Sequence, residues 1–236
     1  MLPTLPHHWI APLEGLERDH QHRYRLGDHT FRTSITGVLA SQKGAYARQR
    51  IEDTREQWED RGNTCHRALE LAATCPGWHP DDWPHCWRWI DWIEPLLAHE
   101  LWSQGALIAS EMGVYSLALD LAGTFDGAIA FPSPGGGWRQ ILFDLKSQGN
   151  AKASTYDTRP QLGGYITLAA EHGLHFDGAA TIWARPGRCT VKLHERDECL
   201  TAWAAAWSSY QQLSAQVARA QAAGVRCDPR FDPFSL

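Results

Sequence analysis

Two apolar segments joined by a loop of prolines and glycines restrict this chain to folds that contain a β-hairpin near the middle. Residues 121–131 and 138–146 consist mainly of apolar and small side chains, and the loop 132–137 reads Pro-Ser-Pro-Gly-Gly-Gly. Loops of this composition connect antiparallel strands. Because residues 106–119 also have the composition of a strand, we predict a three-stranded meander in this part of the chain.

Further helices and strands are predicted on both sides of the meander. The helices are expected over about 42–60, continuing or restarting through 61–73, over 160–172 and over 198–223, and the strands over 179–184 and 189–194. Residues 33–39 predict a short helix or strand. Helix, three strands, helix, two strands and helix in this order indicate an α/β (α+β) fold, in which helices flank a central mixed β-sheet.

The chain length predicts one domain, because 236 residues are enough to bury a core. Residues 1–40 are expected to form an irregular N-terminal arm, and 225–236 a tail. Residues 74–104 predict a helical insert that is rich in tryptophan: Trp78, Trp83, Trp87, Trp89, Trp92 and Trp102. We expect these indoles to pack on the core, since aromatic side chains contribute mainly through buried area. A stacking platform for single-stranded bases is the alternative.

The composition argues against several classes of protein. A net charge of −5 disfavours a protein that holds nucleic acid through its overall charge, although it leaves room for a local basic groove. The six cysteines form no C-x-x-C pair, and their spacing fits no zinc ribbon or finger. Because neither a signal-peptide pattern nor an apolar run of about 18 residues is present, we expect a cytoplasmic protein with reduced thiols and no membrane partner.

Two carboxylates interrupt the hairpin strands. Asp126 breaks an otherwise apolar segment, and Asp144 is followed by Lys146 two residues later. Since alternate side chains of a strand share a face, Asp144 and Lys146 should point the same way. Taken alone, such a D-x-K triplet also fits an exposed pair at a strand end. Two carboxylates on adjacent strands repel unless a cation lies between them, and oxygen ligands favour Mg²⁺ or Mn²⁺.

Other candidate residues flank this pair. Glu111, in the first strand, could add a third carboxylate, and His66 lies on the helix that precedes the strands. Taken alone, a helix histidine of this kind more often has a structural role. Gln161 and Tyr165 are four residues apart on the next predicted helix, so they share one of its faces.

Together these residues resemble the RecB-type branch of the PD-(D/E)xK nucleases, which includes the lambda-exonuclease-like enzymes. The branch has R-G-x-x-x-H on its first helix, then G-x-x-D, D-x-K and Q-x-x-x-Y. The matching residues here are Arg61, Gly62 and His66, then Gly123 and Asp126, then Asp144 and Lys146, then Gln161 and Tyr165. The resemblance covers roughly residues 58–195.

The resemblance implies a restriction-endonuclease-like core and a magnesium-dependent (or Mn²⁺-dependent) DNA nuclease, expected to be an exonuclease. It implies that His66, Asp126, Asp144 and the carbonyl of Leu145 hold the metal, with Glu111 a less secure addition. Lys146 would orient or deprotonate the attacking water. Gln161 and Tyr165 would hold Lys146 or the DNA end, and Arg61 would contact the substrate.

The resemblance also has a limit. Several relatives carry an iron–sulfur cluster, but Cys189, Cys199 and Cys227 are too far apart to match its ligands, so we expect none. The expected partner is DNA, single-stranded or with free ends, in recombination, repair or phage replication. The alternatives are a catalytically silent nucleic-acid-binding or assembly protein on the same fold, and a metal-dependent hydrolase of another phosphoester.

Overall fold

A six-stranded mixed β-sheet organises the fold. The structure is a computed structural model that describes residues 9–19 and 23–224. Its strands are β1 (Leu16–Arg18), β2 (Tyr24–Leu26), β3 (His29–Thr30), β4 (Thr33–Ser34), β5 (Ala106–Ser116), β6 (Leu121–Pro132), β7 (Trp138–Ser147), β8 (Gly178–Arg185) and β9 (Arg188–Glu195). Its helices are α1 (Ile35–Ser41), α2 (Ala45–Asp53), α3 (Arg55–Thr74), α4 (Ile90–Leu97), α5 (Leu101–Gln104), α6 (Arg159–Glu171) and α7 (Arg196–Ala222), with 3-10 helices at Pro80–Asp82 and Pro84–Trp89.

Helices cover both faces of this sheet, as the sequence predicted. One buried cluster joins α1, α6 and α7 to the sheet, and a second joins α3 and the 74–104 insert to it. Leu142 and Phe143 are consecutive in β7 and belong to different clusters. Because consecutive side chains of a strand point to opposite faces, the two clusters lie on opposite sides of the sheet. The predicted mixed sheet flanked by helices is therefore confirmed.

Strand β6 has a gap on one of its two sides. Strand β5 pairs antiparallel with it along the first side, over residues 121–130 of β6. On the second side, β4 pairs in parallel with Leu121 and Ala122 only, and β7 pairs antiparallel from Gly127 onward. Within the described residues, no strand therefore lies beside 123–126 on the second side. We call this stretch the sheet gap.

The predicted polar helix is divided at a different place. The helix was expected to continue or to restart after residue 60; it continues there, but α2 ends earlier, at Asp53, and α3 runs from Arg55 to Thr74. The hydroxyl of Thr54 donates to the carbonyl of Arg50, which is a local bond that competes with helix continuation. As a result, His66 lies in the middle of a long helix.

The N-terminal arm is more ordered than predicted. Its described part contains the small antiparallel sheet β1–β2–β3, and then β4 and α1. The small sheet is attached by the buried side chains of Tyr24 and Phe31, which pack with Ala122 of β6. The expectation of an irregular arm is thus wrong for β1–β3, whereas the short helix or strand expected over 33–39 is confirmed by β4 and α1. Residues 1–8, the tail 225–236 and Cys227 lie outside the described residues.

The tryptophan-rich insert is helical, but in short pieces. Two 3-10 helices precede α4, which contains Pro95, and α5 follows. Five of the six indoles are partly buried against the core: Trp78, Trp83, Trp89, Trp92 and Trp102. The exception is Trp87, which is 56% exposed. Packing is therefore the main role of these residues. No helix within 9–19 and 23–224 is both long and apolar enough to cross a membrane.

Candidate active site

The candidate site lies at the sheet gap. A cleft of about 340 Å³ opens there. Its lining comes from the small sheet, α1, α3, β5, β6, β7 and α6: Arg18, Tyr24, Thr36, Asn63, His66, Arg67, Glu70, Glu111, Gly123, Thr124, Asp126, Asp144, Lys146, Gln161 and Tyr165. The predicted site residues are all among them except Arg61 and Leu145. The structure therefore brings the motif residues together, although they come from four separate elements.

Three side chains in this cleft form a group that could hold a metal ion. His66 of α3, Glu111 of β5 and Asp126 of β6 each offer one ligand atom, and these atoms lie within 4.8 Å of one another. His66 Nδ1 is 3.1 Å from Asp126 Oδ1 and 3.6 Å from Glu111 Oε1. This group contains Glu111, which was the less secure expectation, and it does not contain Asp144.

Glu111 reaches the group from a strained backbone position. Its φ is +46°, in the left-handed region that residues other than glycine rarely adopt. The residue pairs on either side of it in the β5–β6 register place Glu111 opposite Asp126. Like charges that face each other across adjacent strands destabilise a sheet. Backbone strain of this kind clusters at functional sites, and a cation between the two carboxylates would offset their repulsion.

Asp126 connects this group to β7. Its Oδ2 accepts a hydrogen bond from the backbone N–H of Leu145, because β6 and β7 are no longer paired beyond Gly127 and Phe143. The N–H and C=O of one strand residue point to the same side. The carbonyl of Leu145 therefore also faces the sheet gap, which is the direction that its expected ligand role requires.

The other part of the site is almost closed to solvent. Asp144 is only 2% exposed, and its Oδ1 accepts a hydrogen bond of 2.8 Å from Gln161 Nε2, which also donates to the Tyr165 hydroxyl at 2.9 Å. Lys146 Nζ lies 2.8 Å from Asp144 Oδ2. This is an ion-pair distance, so the Lys146 ammonium already balances the buried charge of Asp144.

The charges of the site shift one another's pKa values. Burial alone would lower the pKa of His66, but Asp126 and Glu111 raise it to about 10. Burial opposes the ionisation of Asp126, yet His66 and then Lys146 lower the pKa of that carboxyl. The metal-free site therefore holds a proton on His66 at the place where the two carboxylates meet.

Both partners of the Asp144–Lys146 ion pair have raised pKa values, although an ion pair alone would lower that of the acid. Burial, reinforced by Asp126, raises the pKa of Asp144 to about 6, although Lys146 alone would lower it. Burial works against the Lys146 ammonium, yet Asp144, Tyr156 and Asp126 raise its pKa above the ordinary value. Both pKa values are raised because Asp144 is the more deeply buried partner and faces a second carboxylate, while the Lys146 ammonium faces both carboxylates.

The glycine of the G-x-x-D motif has a packing role. A Cβ on Gly123 would come within 2.9 Å of both Ile35 and Tyr165, which are buried. Glycine at this position lets α6 approach the sheet closely. Since Tyr165 lies one turn from Gln161 on α6, this approach is what allows the Gln161 amide to reach Asp144.

Several residues of the cleft were not predicted. Asn63 and Glu70 lie three and four residues from His66 along α3, so helical spacing around His66 was the signal that could have identified them. Arg67 directly follows His66 and gave no such signal. Arg18 also lines the cleft. It belongs to β1, inside the segment whose sequence shows no regular period, and it gave no such signal.

Arg61 does not line the cleft. It is 7% exposed, and its guanidinium donates to the Ser147 hydroxyl and to the Gln57 carbonyl. It also lies 5.9 Å from the ring of Trp89 and 5.7 Å from that of Trp92. These contacts attach α3 to β7 and to the insert. The expected substrate-binding role of Arg61 is therefore replaced by a structural one.

No protein-family model matches the chain, and a search of the curated proteins finds no significant match. The functional interpretation therefore depends on the site residues and their geometry.

Proposed function

We propose that this protein is a metal-dependent DNA nuclease of the PD-(D/E)xK type, built on a restriction-endonuclease-like core. The main support is that the D-x-K pair Asp144 and Lys146 meets Asp126 and His66 in one cleft at the sheet gap. These residues are far apart in the sequence and match the motifs of that family in order. A chance surface pair would not lie beside two further carboxylates and a histidine.

The residues present fit a divalent cation. His66, Glu111 and Asp126 supply one imidazole and two carboxylates, and Asp144, whose Oδ2 pairs with Lys146, adds a further buried carboxylate to the same cleft. Carboxylate oxygens are the ligands that Mg²⁺ and Mn²⁺ prefer, and the imidazole is compatible with Mn²⁺ as well. A bound cation would polarise a phosphate oxygen and lower the pKa of a coordinated water.

Lys146 supplies a fixed positive charge beside this position. Asp144 holds its ammonium, and the pKa of Lys146 is raised above its ordinary value. A lysine that keeps its proton at neutral pH is a poor general base. Lys146 therefore orients the attacking water and stabilises the negative charge that develops on the phosphate. Of the two roles implied by the family resemblance, this geometry favours orientation over deprotonation.

A phosphodiester backbone is the substrate that suits this cleft. Three cationic side chains line it, those of Arg18, Arg67 and Lys146, although the whole chain has a net charge of −5. Arg67 pairs with Glu70 and Lys146 with Asp144, so a phosphate would share these cations with carboxylates. Local cations of this kind can hold phosphates without a basic protein surface. We propose DNA with free ends as the substrate and exonucleolytic cleavage as the reaction, in line with the family resemblance.

Cleavage of end-labelled DNA tests this function. Purified protein is incubated with single-stranded and double-stranded DNA, with free or blocked ends, in Mg²⁺, in Mn²⁺ or in EDTA, and an Asp126→Asn preparation controls for contaminating nuclease. We expect metal-dependent cleavage from free ends. DNA binding without cleavage would support the silent binding protein instead. Hydrolysis of a small phosphodiester alone would indicate another phosphoesterase.

A further inference from the structure

An exposed tyrosine lies beside the proposed nuclease centre. Tyr156 belongs to the connection 148–158 between β7 and α6, and its side chain is 59% exposed. Its ring meets that of buried Trp183 edge-on, with 5.0 Å between the centroids and 87° between the planes. Trp183 pairs with Lys146 in the parallel β7–β8 register, so both side chains are on the same face. Tyr156 thus contacts Trp183, which is the cross-strand neighbour of Lys146.

The charges of the site also act on Tyr156. Burial of the hydroxyl raises its pKa, the charge of Lys146 lowers it, and the charge of Asp144 raises it again. The geometry agrees, because the Tyr156 ring contacts Trp183 and Trp183 is the register partner of Lys146. More than half of the tyrosine nevertheless stays open to solvent. That exposure is the property that decides whether another ring can stack on it.

The loop that carries Tyr156 is held in place by its own contacts. Gln148 Nε2 donates to the Ser154 carbonyl at 2.8 Å, and Gln148 Oε1 accepts from Arg185 Nε at 2.7 Å. Trp92 Nε1 donates to the Gln148 carbonyl at 2.7 Å. The first end of the loop is therefore fixed to β8 and to the insert, and Gln148 also holds the loop at Ser154, two residues before Tyr156. Tyr156 is presented in a defined orientation, which is what a stacking contact needs.

We propose that Tyr156 stacks on a nucleobase next to the scissile phosphodiester and so selects unpaired DNA over intact duplex. This inference rests on the proposed nuclease function, because it assigns the substrate class of that same site. A phosphate held beside Lys146 places the neighbouring base within reach of the Tyr156 ring. Only an unpaired base offers a free face, since bases inside a duplex already stack on both sides.

The test compares the kinetics of three proteins on matched substrates. Wild type, Tyr156→Ala and Tyr156→Phe are assayed on a single-stranded oligonucleotide and on its duplex with recessed ends. We expect Tyr156→Ala to raise the KM for single-stranded DNA about tenfold with little change in kcat, and Tyr156→Phe to restore it, because the stacking surface is retained. Trp87→Ala is the matched control, since Trp87 is a similarly exposed aromatic residue in the insert. It should leave KM unchanged.

An abasic substrate tests the same contact without relying on a folded variant. The nucleotides on either side of the mapped cleavage position are replaced one at a time by abasic sites. One of these replacements should raise the KM of the wild type about as much as Tyr156→Ala does. The same replacement should not raise the KM of Tyr156→Ala any further. If the two losses instead add, or if KM does not change in Tyr156→Ala, the stacking role is wrong although the nuclease stands. A wild type that binds Mn²⁺ but cleaves no DNA would overturn the proposed function itself.

Discussion

The two halves of the candidate site balance their buried charges in different ways. In the open half, His66, Glu111 and Asp126 gather two carboxylates around one imidazole, and the His66 and Glu111 side chains are about a third exposed. In the closed half, Asp144 and Lys146 neutralise each other within 2.8 Å, and the Asp144 side chain is 3% exposed. The open half thus has an unmatched negative charge, whereas the closed half is nearly balanced.

This difference indicates which half depends on a cation. The carboxylates of the open half lie opposite each other across β5 and β6, so only a positive charge between them removes their repulsion. The closed half is already arranged by Gln161 and Lys146 and needs less rearrangement. We therefore expect metal binding to depend mainly on the open half, and the rate of the chemical step to depend on both.

The largest effect is expected from Asp126→Asn. This change keeps the shape of the side chain but removes the charge that is shared between His66 and the Leu145 N–H. Metal binding measured by calorimetry should be lost, and single-turnover cleavage should fall by about 10³-fold or more. Asp91→Asn is the control, because Asp91 is an exposed carboxylate of the insert. Metal affinity equal to that of the wild type would remove Asp126 from the metal site.

A change in the closed half should separate binding from chemistry. Lys146→Ala should bind Mn²⁺ as the wild type does, since the open half remains, but turnover should fall by about 10²-fold. Lys146→Arg should rescue poorly, because a planar guanidinium positions its donors differently. Lys192→Ala, at an exposed lysine of β9, is the matched control. If Lys146→Ala also loses the metal, the main role of Lys146 is to hold Asp144 in place.

The proton on His66 predicts how metal affinity changes with pH. Because the pKa of His66 is about 10 in the metal-free site, a metal that binds at neutral pH must displace that proton. Affinity for Mn²⁺ should therefore rise by up to about tenfold per pH unit as the pH increases, with proton release seen by calorimetry in buffers of different ionisation enthalpy. His66→Asn should bind more weakly and with a flatter profile. A wild-type affinity that does not change between pH 6 and pH 8 would contradict the assignment.

The same shift predicts the opposite trend for stability without metal. A histidine whose pKa is raised on folding stabilises the folded state fully below its unfolded pKa of about 6.5. This contribution should decline as the pH rises toward about 10. The Tm of the metal-free wild type should therefore fall relative to that of His66→Asn over this interval. Parallel curves for the two proteins would show that His66 is not held between the carboxylates.

Local periodicity in the sequence was enough to predict the closed half. Alternation in a strand puts Asp144 and Lys146 on one face, and a four-residue spacing puts Gln161 and Tyr165 on one helix face. The hairpin loop 132–137 sets β6 beside β7, which brings Asp126 close to Asp144. These relations join residues that are close in the sequence or on strands joined by one loop, so a single sequence is enough to predict them.

Relations that depend on how distant segments pack were not predictable in this way. The left-handed φ of Glu111 reflects the pairing of β5 with β6, and Arg18 enters the cleft because the small sheet packs on Ala122. The exposure of Tyr156 likewise depends on Trp183 and on the hydrogen bonds of its loop. Arg61 is the clearest case, because the motif that contains it does not specify where its guanidinium goes.

The smallest effect on activity is expected at Arg61, and it distinguishes packing from substrate binding. Because Arg61 lies against Trp89 and Trp92 and bonds to Ser147, Arg61→Ala should lower the free energy of unfolding by about 1 to 3 kcal/mol. KM and kcat for DNA should stay within about twofold of the wild type wherever the variant is folded.

Arg67→Ala is the matched comparison, since Arg67 lines the cleft and its side chain is 51% exposed. It should raise KM without a comparable loss of stability. The measurements are chemical denaturation and steady-state cleavage on the same preparations. If Arg61→Ala raises KM and leaves stability unchanged, the guanidinium turns toward DNA on binding, and the substrate-binding role implied by the family resemblance is restored.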